Sequence, residues 1–424
     1  MLTRPWAVLL LFAVTLSARG QLRLPAVPLP TVPLQTLPLQ SAQQTLDQVD
    51  AQTRDRLSNA RHLQINLLIR ANRRVVEADP DGEPIVRGEI LALSPSDAAL
   101  SHALSAGFLV AREQPLSSAE LRVIVLTAPA GMSTKRALRN LREFDPDGLY
   151  DYNHIYTHAG GAAEVLGSLE DPATAPISAA GRGPSERPRI RVGLLDTGVD
   201  SSHPVFHDST VHTWGCANKP NPSPHGTAVA SLLLTRASAE LYAADVYCGL
   251  PTGGAVDAII GALAWMMSEH VPVINVSLVG PKNAMLEQTV AALIVRGYVI
   301  VAAVGNDGPT APPLYPAAYA RVVGVTGVDV NQRVLLEALR GPQVMFAAAG
   351  AGIKAADVAH AYADVRGTSF AAPTVAGLLA ELMTTPDRAT ADAAVDTLAK
   401  RAIDLGPPGK DFTYGFGLVG TDAH

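Results

Sequence analysis

The chain has 424 residues, of which 48% are hydrophobic and 17% are charged. This balance is typical of a globular protein that buries a core, and it excludes disordered and collagen-like chains. The 33 basic and 39 acidic residues give a net charge of −6, which provides no electrostatic attraction for a nucleic acid partner. The chain is long for a single core, so we expect two folded parts.

The N-terminus, residues 1–20, reads MLTRPWAVLLLFAVTLSARG, with an early arginine, a short apolar stretch and small residues before Gln21. This pattern predicts a signal peptide that is cleaved before Gln21. No later stretch reaches about eighteen apolar residues, so we expect neither a membrane-spanning segment nor a membrane partner. The mature protein should therefore be secreted or periplasmic.

Two further segments precede the first predicted strand. Residues 21–40 carry a proline every few positions, which predicts an extended, polyproline-like spacer. Residues 41–73 lack glycine and proline and space their apolar side chains as a helix does. They predict a helical segment.

Residues 74–159 predict a small β-α-β-β-α-β unit. The segments 79–82 and 145–148 both read DPDG. They lack the roughly twelve-residue loop ending in glutamate that calcium requires, so they predict turns.

Residues 160–188, rich in glycine, alanine, serine and proline, predict a linker. Beyond it, residues 189–424 alternate short apolar runs with helical segments. Such runs form strands that are buried on both faces. We therefore expect an α/β fold of three layers, in which a mostly parallel central sheet is flanked by helices.

Polar residues suited to acyl transfer lie at the ends of these predicted elements. Asp196 ends the strand of RVGLLDTGVD, His225 starts the helix of PHGTAVAS, and Asn306 ends YVIVAAVGN. Ser369 begins the apolar helix of RGTSFAAP, where helix capping alone would explain it. Together, the four residues provide an acid, a base, an oxyanion donor and a nucleophile.

The order Asp196, His225, Ser369 resembles that of subtilisin-like serine proteases. The resemblance runs from about residue 189 to 420. It is carried by LLDTGVDSSHP, HGTAVAS, LYAADVY, VINVSLVGP, YVIVAAVGN, YPAAYARVVGVTGVD, GTSFAAPTVAG and YGFGLV. Three ordered catalytic motifs make a chance match an unsatisfactory explanation.

The resemblance implies a role for each of these residues. Ser369 attacks the peptide carbonyl, His225 transfers the proton, and Asp196 orients the imidazole. Asn306 and the amide of Ser369 form the oxyanion hole, although Asn306 could alternatively be a turn residue ahead of Gly308. Because an ordinary histidine has a pKa of about 6.5, activity should rise through neutral pH as His225 deprotonates.

By the same resemblance, residues 74–159 are similar to the family's prodomain, a small α+β unit of ferredoxin-like fold. Such a prodomain assists folding and acts as an intramolecular inhibitor until it is cleaved. The stretch DYNHIYTHA corresponds to the prodomain tail in the active site. Self-cleavage should then fall after Ala159, within residues 160–188. The alternative is a permanent accessory domain.

Two features depart from the family and argue against calcium. The short interval from His225 to Tyr242 leaves no room for the calcium-binding insertion of the family. Val205 and Phe206 follow Pro204 where the family has a liganding aspartate. We therefore expect no calcium there.

Three nearby histidines, His203, His207 and His212, lack the cysteine or carboxylate framework of a metal site. We expect them to be solvated loop residues. We accordingly expect no metal and no cofactor in this protein.

The resemblance also locates the substrate-binding residues. They are Ser277, Leu278, Val279, Ala303, Val304, Gly305 and Leu314. Val279 and Leu314 stand where the family commonly has glycine. Larger side chains there should make the pocket shallow, with a preference for small residues such as alanine.

Export places Cys216 and Cys248 in an oxidising compartment, where they can pair. In the family's sheet the strands that precede them are parallel neighbours. Both thiols should then emerge at the same edge, and we expect a disulfide.

The sequence thus predicts an exported serine endopeptidase, made as a self-cleaving precursor, that acts as a monomer on protein or peptide substrates. One alternative is a catalytically silent fold that serves as a binding module, which the four filled catalytic positions disfavour. Another is a ligase or transferase that uses the same acyl-enzyme and passes it to an amine.

Overall fold

A computed structural model of the chain describes residues 60–116, 120–158, 189–219, 221–234 and 238–421. The predicted signal peptide, the spacer, the first part of the helical segment and the linker 160–188 lie outside these residues. None of the helices in the described ranges combines the length and the apolar character that crossing a membrane requires.

The first described part of the chain forms a small α+β unit. After a helix over residues 60–71, α1, its elements are β1 (Val76–Ala78), β2 (Pro84–Leu93), α2 (Asp97–Ser105), β3 (Leu109–Leu116), β4 (Leu121–Thr127), α3 (Thr134–Phe144) and β5 (Leu149–His158). The antiparallel sheet runs in the order β5-β2-β4-β3, with β1 beside β2. This order and the two packed helices match the predicted ferredoxin-like arrangement.

Local chemistry explains where these elements start and turn. Ser96 and Ser133 cap α2 and α3, because their hydroxyls accept hydrogen bonds from the amides of the first turns. The first DPDG segment is a turn, as expected, in which the Asp79 carboxylate accepts the amides of Asp81 and Glu83 at 2.8 Å.

The second part of the chain is built on a seven-stranded parallel sheet. Its strands are β6 (Arg189–Asp196), β7 (Thr210–Trp214), β8 (Ser238–Asp245), β10 (Val273–Val276), β12 (Val299–Ala303), β13 (Val323–Val328) and β14 (Val344–Ala349). They are arranged in the order β14-β13-β12-β10-β6-β8-β7. Every residue of β10, β12 and β13 is buried. Burial on both faces explains why these strands are continuous apolar runs.

Five helices of the described residues pack around this sheet. They are α4 (Pro224–Leu233), α5 (Val256–Ser268), α6 (Ala284–Val295), α7 (Thr368–Ala380) and α8 (Arg388–Arg401). The buried helix α7 contacts α4 and five strands of the sheet, whereas α5 and α6 contact each other and the small antiparallel sheet. The expected three-layer α/β fold is confirmed. A separate antiparallel pair, β15 (Ile353–Ala356) with β16 (Tyr362–Val365), lies just before α7.

The expectation for the three histidines is wrong at two positions. His203 is 2% exposed, because its ring accepts the amide of Val205 and contacts the Ala361 carbonyl at 3.0 Å. His212 lies within β7 and stacks on Tyr242. His207 is exposed, as expected.

Candidate active site

The carboxylate of Asp196 holds the imidazole of His225. Asp196 is the last residue of β6, and His225 lies in the first turn of α4, so both reach the carboxyl end of the sheet. His225 Nδ1 lies 2.8 Å from Asp196 Oδ1. An acceptor at Nδ1 keeps the proton there and turns Nε2 into the base.

Asp196 remains ionised although it is fully buried. Burial by itself would raise its pKa, but the charge of His225 and the hydrogen bond to its ring lower it more, and the pKa ends below the ordinary value. Thr197 also donates to the same oxygen, through its amide at 2.6 Å and its hydroxyl at 3.1 Å. A permanent negative charge is thus held behind the imidazole.

Ser369 lies in the first turn of α7 and is fully buried. The ring of the next residue, Phe370, has its centroid 5.2 Å from that of His225. Ser277 Oγ donates to the Ser369 carbonyl at 3.0 Å, which holds the backbone in place. Within the described part of the chain, Ser369 Oγ has no hydrogen-bond partner, so the hydroxyl is not committed to a structural role.

Asn306 is oriented by the start of the same helix. Its Oδ1 accepts the amide of Thr368 at 3.1 Å, while the Thr368 hydroxyl accepts the amide of Gly305 at 3.2 Å. A Cβ placed on Gly367 would lie 3.0 Å from Asn306 Nδ2, and the φ of +137° at this glycine disfavours any other residue. The amide NH₂ of Asn306 therefore faces the chain just before Ser369, where an oxyanion donor is needed.

Strand β5 continues out of the small sheet and across the site. Its last residues pair antiparallel with two short strands, β9 (Gly254–Ala255) and β11 (Leu278–Val279). His158 stands opposite Leu278, and Thr157 opposite Val279. A chain segment added to two strand edges in this manner is the way extended peptides are bound.

The end of β5 brings a second imidazole, that of His158, to the pair formed by Asp196 and His225. The ring of His158 lies between those of His225 and Tyr247, at centroid distances of 4.1 and 4.7 Å. Burial and the neighbouring charge of His225 lower the pKa of His158 to about 3, although Asp196 opposes the shift. His158 is therefore neutral in this position.

All the predicted substrate-binding residues are buried, and Leu278 and Val279 pair directly with β5. Leu314 packs against Gly305 so closely that a Cβ there would lie 2.6 Å from Leu314 Cδ1. Leu314 and Val279 are 6% and 2% exposed. Their side chains fill space that glycine would leave open.

Cys216 and Cys248 form a disulfide, with their Cα atoms 5.1 Å apart. Two groups among the described residues have metal-ligand atoms close together: these two cysteines with Asp245, and the site residues His158, Asp196 and His225. In the first group both sulfurs are bonded to each other, and one oxygen of Asp245 accepts two backbone amides. We assign no metal to either group.

Some contributors to the site carry no catalytic sequence signal. Asp151 accepts the first amide of α6 at 2.7 Å, and Asn153 accepts the amide of Asp257 in the first turn of α5 at 3.2 Å. These contacts fix β5 to the two helices. In the sequence, the role of Asp151 and Asn153 was indicated only by the alternation of polar residues along DYNHIYTHA.

Comparison with known proteins agrees with this geometry. Residues 188–417 match the model of the Subtilase family. Subtilisin NAT of Bacillus subtilis subsp. natto is 30% identical over 319 residues, covering 70% of this chain and 80% of that protein. Subtilisin DY of Bacillus licheniformis is 29% identical over 250 residues, covering 55% of this chain and 90% of that protein.

A solved structure shows the same fold. The crystal structure of fervidolysin from Fervidobacterium pennivorans, described as a keratinolytic enzyme related to subtilisin, aligns with a TM-score of 0.66 at 20% sequence identity. The alignment covers 82% of this chain and 62% of fervidolysin. The family match, the curated relatives and the shared fold lead to one conclusion: the chain belongs to the subtilase family and is a serine endopeptidase.

Proposed function

We propose that this protein is an exported endopeptidase made as a latent precursor, which cleaves its own chain and is then inhibited by the strand it has cut. The observation that carries the proposal is strand β5, which lies between β9 and β11 and ends at His158 against His225. The small α+β unit is the prodomain in this proposal. The signal peptide predicted from residues 1–20 supports export.

In the proposed reaction, Ser369 Oγ attacks the scissile carbonyl carbon while His225 Nε2 takes the hydroxyl proton. The developing oxyanion is stabilised by Asn306 Nδ2 and the amide of Ser369. The C–N bond then breaks, and His225 returns its proton to the leaving amine. A water molecule then gives a proton to His225 and attacks the acyl carbon, and the bond from that carbon to Ser369 Oγ breaks as the serine regains its proton. The ionised Asp196 keeps the imidazole in position throughout.

The end of β5 supports a cleavage point after Ala159, the residue that follows His158 in the sequence. His158 stands opposite Leu278 and its ring packs on that of His225. Ser277, which precedes Leu278, donates its hydroxyl to the Ser369 carbonyl, so the described end of the strand lies near the proposed nucleophile. Ala159 also suits the shallow pocket expected from Leu314 and Val279. We therefore propose that the enzyme prefers small residues before the scissile bond.

Active-site labelling tests the assignment of the nucleophile. Once the cleaved prodomain has been removed, a fluorophosphonate probe should label the wild type. Ser369→Ala should not label, while Ser101→Ala, an exposed serine on α2, should label like the wild type. Absence of labelling in the wild type would favour the silent binding module instead.

Product analysis tests the reaction class. With a peptide substrate and an added amine, a hydrolase gives free acid as its main product, whereas a ligase or transferase gives the amide. A predominance of amide product would replace hydrolysis as the proposed reaction.

A further inference from the structure

Asp307 is a buried carboxylate next to the proposed oxyanion donor, and the catalytic reaction does not use it. Its side chain is 9% exposed, and burial raises its pKa although the charge of Arg61 opposes the shift. Arg61 Nη1 lies 3.1 Å from Asp307 Oδ2, and Arg61 Nη2 lies 3.3 Å from Glu83. The positive charge that pairs with Asp307 is thus that of Arg61 in α1, which precedes the proposed prodomain in the sequence.

Helix α1 presents one face to the substrate cleft. Arg61, Gln64, Ile65 and Leu68 follow helical spacing and line a cavity of about 580 Å³. Ile65 is 8% exposed, whereas Leu63 and Leu67 on the other face are 59% and 55% exposed.

The opposite side of this cavity belongs to the cleft and to the end of β5. Its lining includes Thr157, His158 and Tyr247, together with the segments 221–224 and 249–251. From Arg61 to Leu68 the helix rises about 10 Å, enough to cross the end of a bound strand. Helix α1 and the end of β5 therefore line the same part of the cleft.

The helix is also tied firmly to the prodomain. The Asn72 side chain donates to the Leu68 carbonyl at 2.9 Å, and the Asn72 carbonyl accepts the amides of Val75 and Val76 at 2.9 Å. Val76 already belongs to β1 and pairs with Val86 in β2. Movement of α1 off the cleft is thereby coupled to movement of the small sheet.

We infer that the cleft rim and Asp307 form a docking surface for residues 60–71, and that this helix is a second inhibitory element which retains the cleaved prodomain. The inference rests on the proposed latency of the precursor. The docking element is an amphipathic helix, and Arg61 in its first turn forms an ion pair with the buried carboxylate of Asp307. Breaking a largely buried ion pair leaves an uncompensated charge, so loss of Arg61 should weaken retention strongly.

The test uses the full chain after the signal peptide, with Arg61→Glu, Arg61→Lys and the control Arg70→Glu, an exposed charge on the same helix. Intact mass establishes that cleavage is complete, and release of inhibition is followed with a chromogenic peptide ending in alanine. Arg61→Glu should reach half of its final activity about tenfold sooner than the wild type. Arg61→Lys and Arg70→Glu should remain within about threefold of it.

A second readout does not depend on activity. In a Ser369→Ala background, Arg61→Glu should speed hydrogen exchange in residues 60–71 while leaving the central sheet protected. Two results would overturn the inference while leaving the proposed latency intact. One is unchanged hydrogen exchange in residues 60–71 of the Arg61→Glu variant. The other is a fully cleaved Arg61→Glu protein that gains activity as slowly as the wild type. A cleaved wild type that is active at once would overturn both.

Discussion

In the proposed latent precursor, protonation of His158 should release the cleaved strand from the cleft at acidic pH. Free His158 takes up a proton near a pKa of about 6.5, whereas against His225 and Tyr247 its pKa is about 3. The bound strand therefore holds fewer protons than the free one. Its binding is complete above pH 6.5, weakens as pH falls below this value, and levels off only below about pH 3.

The two pKa values set the size of the effect. Between pH 7 and pH 5 they predict about a 25-fold weakening of strand binding. The assay incubates the cleaved wild-type protein at each pH and measures activity in aliquots returned to pH 8, so that His225 is in the same state in every measurement. His158→Gln carries no titrating ring and should lose most of this pH dependence. The same acid response in wild type and His158→Gln would refute the reasoning.

Three further predictions follow from the site and its surroundings. Asn306→Ala should lower kcat about 100- to 1,000-fold with little change in KM, a size taken from the corresponding donor of subtilisin and measured by steady-state kinetics. Leu314→Gly should raise kcat/KM for peptides ending in phenylalanine by about tenfold relative to alanine; unchanged selectivity would contradict the shallow-pocket proposal. The double replacement Cys216→Ser, Cys248→Ser should lower the free energy of unfolding by roughly 3.5 kcal/mol in chain-entropy models, measured by denaturant titration, and equal midpoints would refute this.

Much of the fold could be predicted because its signals are local. The elements of residues 74–158 occur in the predicted order, since capping serines, turns and apolar periodicity act over a few residues. The proximity of Asp196 and His225 followed from strand and helix ends that meet at one edge of a parallel sheet.

The remaining features depend on contacts between distant parts of the chain. Arg61 and Asp307 form an ion pair although they are 246 positions apart in the sequence. His203 is buried because its ring reaches the carbonyl of Ala361, which no local pattern could predict. The sequence predicted a prodomain tail at the end of β5 by resemblance alone, whereas the packing of His158 on His225 required the structure.

The central claim is that Ser369 cuts the chain that precedes it. The most direct test is the intact mass over time of the precursor lacking residues 1–20, beside its Ser369→Ala variant in the same oxidising buffer. The wild type should separate into two fragments with a boundary between Ala159 and Pro188, and the variant should stay whole. If both proteins stay whole, or if both are cut at the same point, Ser369 is not the nucleophile of self-cleavage and the account is contradicted.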